Sequence, residues 1–273
     1  MKRKILSNIK ADLIFFSRNG WLIGIVAVLV LHALLSFIFG GLIPLYHANR
    51  FENIQNIVGS INNYGFIIVV ALGIVTIFSH STQRCLKMVF TKPCLPDVWI
   101  FSLFLSIAIV AILIFFLSFL TGSLLFVIWK VPYQPGLIFV CIKECCEAMI
   151  MSFFLLLLSL IVHPLIAVFL ITVLNESSLY YICLSVRAAL ESTSTFSFWH
   201  AFWLNISKSV SEILYRTVPI INPYAEKFNE VVKSWLVLSE DWAHLTVYVL
   251  YTMVASWLMA IFSTEALKKK RLI

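Results

Sequence analysis

The longest apolar stretch decides what this chain can fold into. From about 138 to 184 the sequence stays predominantly apolar for much longer than one bilayer crossing requires. A hydrocarbon core is spanned by about 20 helical residues, and a single helix of this length would reach about 70 Å at 1.5 Å per residue. The segment must therefore fold back. His163–Pro164 is the natural reversal, because proline suits the first turn of a new helix. Backbone groups facing lipid must be satisfied within their own element, so only helices or a closed barrel remain. Barrel strands alternate apolar and polar residues in segments of about ten. The runs here are long and continuous, so helices are expected. Composition agrees: 61% of residues are apolar and 12% charged, against about 45–50% and about 25% in soluble domains.

The expected fold class is all-α, a polytopic membrane protein with six transmembrane helices behind an N-terminal amphipathic interfacial helix. The spans fall at about 20–43, 64–80, 98–129, 138–162, 164–185 and 244–264, all within a membrane domain covering 19–273. In residues 1–18, Ile5, Leu6, Ile9, Leu13 and Phe16 share a helical face flanked by Lys2, Arg3, Lys4, Lys10 and Arg18. Such a segment lies on an anionic membrane surface. Residues 44–63 read as a polar loop, and 81–97 as a short basic connection containing Pro93 and Pro96. Residues 186–243 read as an extracytoplasmic loop with two helical patterns, near 197–217 and 224–238. Its aromatics Phe196, Phe198, Trp199, Phe202 and Trp203 suit a membrane interface.

The formal charge of +7 does not point to nucleic acid, because the basic residues sit mostly beside apolar spans. Positive charge in that position fixes topology and attracts anionic lipid. With both termini in the cytoplasm, residues 1–18, 81–97 and the C-terminal tail hold twelve of the twenty Lys and Arg residues. The expected location is a multi-pass one in a cytoplasmic or inner membrane.

Catalytic and metal motifs are not found. There is no G-x-x-x-x-G-K-[ST] phosphate loop, no H-E-x-x-H and no G-x-S-x-G. Asp12, Asp97 and Asp241 are the only aspartates, too few for an enzyme built on paired metal-binding aspartates. No catalytic or metal-ligating residue is assigned. Cys141, Cys145 and Cys146 crowd together without a C-x-x-C spacing; they read as small apolar helix residues, with a redox or metal role as the alternative. Charged and polar groups inside the spans are the candidate pathway residues. They are His32, the group Lys143, Glu144 and Glu147, and the pair Asn175 and Glu176. Lys143 and Glu147 are four apart, so they can pair on one helix face. The alternative for the group is a self-paired cluster in the outer half of its span.

Four stretches in order resemble the membrane-spanning subunits of ABC exporters of the type-two class. IKADLIFFSRNGWLI at 9–23 resembles the family's amphipathic elbow helix, with Asp12 where glutamate is usual. QRCLKMVFTKPCLPDVWIFSLFL at 83–105 resembles the segment joining spans two and three: Leu86, Phe90, Lys92 and Pro93 keep its rhythm, while its Gly-Thr pair is absent. LSLIVHPLIAVFL at 158–170 and WLMAIFSTEALKKKRLI at 257–273 resemble the turn between spans four and five and the basic-tailed last helix. The resemblance implies a permease working as a dimer with a second permease copy, coupled to a separate pair of ATPase subunits. ATP and Mg would sit on that partner, with no cofactor on this chain. It also implies that 81–97 is a coupling segment docking on the ATPase through Arg84, Leu86, Lys87, Met88, Phe90, Lys92 and Pro93. An ion-coupled secondary transporter is the alternative, although the inverted repeats common in such carriers are not visible. A non-catalytic assembly scaffold is a third.

Overall fold

The computed structural model describes residues 2–18, 50–81, 96–163, 198–215 and 224–271, with isolated positions at 20, 23, 24, 27, 30, 31, 166 and 188. Among these residues there is no strand, and residues 129–135 and 235–238 form short connections between helices. The elements are α1 (Lys2–Arg18), α2 (Arg50–Ser81), α3 (Pro96–Ile128), α4 (Gly136–Ile161), α5 (Phe198–Tyr215), α6 (Ala225–Ser234) and α7 (Ser239–Arg271). Four stretches are long and apolar enough to cross a membrane: Arg50–Val75, Asp97–Ile128, Gly136–Ile161 and Ser239–Lys269. The described residues are all-helical, and these four apolar helices mark a membrane protein.

The expected spans 98–129 and 138–162 coincide with α3 and α4 to within two residues. The spans expected at 64–80 and 244–264 lie inside longer helices, α2 and α7. The polar loop expected over 44–63 is corrected from Arg50 onward, where residues 50–63 form the first turns of α2. Glu52, Gln55, Asn56 and Asn63 lower the hydropathy there. Yet Ile54, Ile57, Val58 and Asn62 fall at helical spacing and are buried, and that periodicity decides the element. The patterns near 197–217 and 224–238 appear as α5 and α6. The expected spans 20–43 and 164–185 lie outside the described residues, apart from isolated positions.

Cross-helix contacts set the directions. Asn62 meets Ser118, Gly65 meets Ile114 and Gly122 meets Val58, so α2 and α3 are antiparallel. Gly122 also meets Leu137, and Phe104 stacks on Phe153 with ring centroids 4.3 Å apart, so α3 and α4 are antiparallel too. Leu137 and Val140 cluster with Ile54 and Val58, while Ser152 Oγ donates to the Val69 carbonyl at 3.1 Å, so α4 runs parallel to α2. Trp242 sits edge-on to Phe139 at 5.9 Å, and Leu245 and Tyr248 cluster with Cys146 and Ile150, so α7 runs parallel to α4. Lys268 at the far end of α7 lies 3.3 Å from Asp97 at the start of α3. The central helix is α4, which packs against α2, α3, α6 and α7.

These directions divide the described helix ends into two groups. One end of the bundle collects Ser81, Pro96, Ile161 and the C-terminus of α7. α1 packs against α3 toward this end, with Phe16 in the cluster that holds Ile100, Leu103 and Phe104. The other end collects Arg50, Ile128, Gly136 and Ser239. There α3 stops with Lys130 left-handed at φ 54°, and Val131 N–H donates to the Phe126 carbonyl at 3.1 Å. This is a Schellman-type stop with lysine at the position glycine usually takes. Arg50 Nη1 donates to the Trp129 carbonyl at 3.2 Å, a cation at the negative end of the α3 dipole.

Candidate functional site

The charged group of the central helix is the best-defined candidate site among the described residues. Lys143 Nζ lies 2.6 Å from Glu147 Oε2 and 3.1 Å from Glu144 Oε1. The i,i+4 spacing brings the first pair together on one helix face, and the adjacent Glu144 reaches the same ammonium. All three side chains are largely buried, Lys143 most deeply, at 9% exposure. Two carboxyl groups thus face one ammonium.

Depth makes this costly. With 26 residues, α4 reaches about 39 Å. Glu147 lies about 16 Å from Gly136 along the axis, closer to the helix midpoint than to its end. A lone ionised residue at such depth costs about 2.5–3.5 kcal/mol on insertion scales, so mutual pairing offsets much of what the membrane would charge. At 100° per residue, Lys143 and Glu147 fall between Phe139, Cys146 and Ile150, which meet α6 and α7, and Met151 and Leu155, which pack with Phe66, Val70 and Ile74 of α2. The strip thus faces away from α3.

A second polar group joins three helices. Ser118 Oγ donates to Asn62 Oδ1 at 2.5 Å, and Cys141 of α4 lies beside them. Asn62 and Ser118 are buried, and the Asn62 amide nitrogen has no hydrogen-bond partner among the described residues. Polar side chains of this kind hold membrane helices together. Asn62 was missed because its segment read as a loop, and Ser118 because a single serine leaves little trace in an apolar run; the buried periodicity of 54–62 is the signal that finds the first. Cys141, Cys145 and Cys146 are free and buried. Among the described residues no group of three or more His, Cys, Asp and Glu is arranged to hold a metal ion.

On α1, Asp12 accepts a hydrogen bond from Ser106 Oγ of α3 at 3.2 Å. Burial pushes its carboxyl up to about 6, partly opposed by that hydrogen bond. α1 therefore turns one acidic side chain and Phe16 into the bundle.

Of the expected pathway residues, the structure brings together Lys143, Glu144 and Glu147. His32, Asn175 and Glu176 lie outside the described residues, as do Arg84, Leu86, Lys87, Met88, Phe90, Lys92 and Pro93 of the coupling segment. No family model matches the chain, and no curated protein matches it significantly.

Proposed function

We propose that this chain is the membrane-spanning permease subunit of an ATP-driven exporter of the ABC type-two class. It would work as a dimer of permease chains coupled to separate ATPase subunits that hold ATP and Mg. One observation carries the reading. The end of the bundle that collects Ser81, Pro96 and the α7 terminus, with α1 packed toward it, belongs to the three basic segments expected on the cytoplasmic side. Ser81 and Pro96, near the limits of the proposed 81–97 coupling segment, both lie at that end, where a short docking segment would meet a cytoplasmic motor. The helix directions also support six crossings. α1 packs toward one end and Arg50 lies at the other; Ile161 lies at one end and Ser239 at the other. Each interval thus favours an odd number of crossings.

In this reading, ATP-driven closure of the partner moves the 82–95 segment, and the helices joined to it open the passage outward. The Lys143–Glu144–Glu147 strip would line the path from within the bilayer. The same strip favours a second reading, an ion-coupled carrier, since intramembrane ionisable groups mark ion and proton paths.

One experiment separates the two. Tagged chain extracted in mild detergent should bring down a nucleotide-binding subunit. Lys87→Glu combined with Phe90→Ala should release that partner while leaving the melting temperature of the permease unchanged. Recovery of the chain alone, with transport abolished by an uncoupler and insensitive to ATP depletion, would establish the carrier and reject the exporter.

A further inference from the structure

A groove of about 420 Å³ opens between α3, α4 and α7, on the side of α4 away from the charged strip. Its walls are apolar side chains and the three thiols Cys141, Cys145 and Cys146, with Phe115 buried at the floor. We infer that this groove is an intramembrane binding site for a single lipid acyl chain.

The argument rests on lining, depth and continuity. Along α4 the lining runs from Ile138 to Met149, about 16 Å at 1.5 Å per residue, from near the Gly136 end toward the middle of the helix. The groove therefore lies at hydrocarbon depth. A cavity holds water only where two to four polar partners are available, and these walls supply no such set. Dry apolar cavities of about 150 Å³ take up benzene, and this one is larger and elongated. Its lips, Ile112 and Phe116 on α3 and Met253 on α7, are more than half exposed, so the opening is continuous with the lipid-facing surface of two spans. The occupant then comes from the bilayer. Met149 and Met253, flexible and polarisable, suit a chain without fixed shape.

The test uses the full chain in phosphatidylcholine vesicles containing a phospholipid with a diazirine in its acyl chain. After illumination, adducts are mapped by residue. They should concentrate on Phe116, Met149 and Met253, well above Val127 and Leu250, which are at least as exposed as Phe116 but lie outside the groove. Met253→Trp, on an exposed lip where folding is not at stake, should remove the Met149 adducts and leave those on Val127. Ile112→Trp on the opposite lip should do the same. Equal adduct density inside and outside the groove would reduce the site to ordinary surrounding lipid and overturn the inference. A photo-reactive amino acid at position 116 that links two copies of the chain, in place of lipid, would overturn it in favour of a dimer interface.

Discussion

Trp235 is nearly fully buried, with its backbone left-handed at φ 56°, between α6 and α7. Its ring meets Phe51 of α2 and Phe126 of α3, while its backbone lies against Gly136 at the start of α4. A Cβ on Gly136 would sit 2.6 Å from the Trp235 Cα, a distance the backbone must yield to. Gly136→Ala should therefore destabilise the bundle by about 1–3 kcal/mol, the usual cost of overpacking, read as a lower melting temperature in detergent. Lys130 runs the other way. A left-handed residue with a Cβ costs roughly 1–2 kcal/mol, so Lys130→Gly should raise stability by about 1 kcal/mol. Within the charged strip, Lys143→Met leaves two buried carboxylates without their cation. Breaking a buried pair costs about 3–5 kcal/mol, whereas the triple change Lys143→Met, Glu144→Gln and Glu147→Gln should recover most of that loss. If the triple variant folds and still transports at the native rate, the strip is structural and not part of the path.

α1 shows how an element can be read correctly while its packing stays hidden. Its amphipathic face is plain in the spacing of Ile5, Ile9, Leu13 and Phe16, but nothing local says that Asp12 meets Ser106, 94 residues away. The consequence is a pH dependence with a definite sign. Asp12 rises from an ordinary 3.8 to about 6, so the folded form holds its proton more tightly than the unfolded chain. Stability from this group is complete below the lower value and is lost as the pH rises through about 6. Unfolding midpoints measured from pH 4 to 8 should fall across that window, and Asp12→Asn should remove this part of the fall. α2 gives the opposite lesson. Average polarity over 50–63 argued for a loop, while the burial pattern of Ile54, Ile57 and Val58 argued for a helix, and packing against α3 and α4 favoured the pattern. α3 was legible to within two residues because prolines and apolar length agree at its boundaries.

At the scale of the whole molecule, helix directions follow from contacts that no window of sequence contains. Hydropathy locates spans but cannot say that α4 and α7 are parallel; Phe139 against Trp242 at one end, together with Lys268 against Asp97 at the other, does. The charge count is a separate argument, and the basic segments it proposes as cytoplasmic flank the end holding Ser81, Pro96 and Arg271. That agreement makes a topology prediction with several reporters. In a background with all native cysteines replaced, Leu238→Cys, exposed next to the start of α7, should react with an impermeant thiol reagent added outside intact cells. Lys269→Cys at the opposite end should react only after permeabilisation. Restoring Cys85 or Cys94 alone places a native thiol in the 82–95 connection, and each should behave as Lys269→Cys does. If positions 85, 94 and 269 react from outside and 238 only from inside, the bundle is inverted and the segment proposed to meet a cytoplasmic ATPase faces away from it. If all four react from one side, α7 does not cross the membrane, and the case for six crossings fails with it.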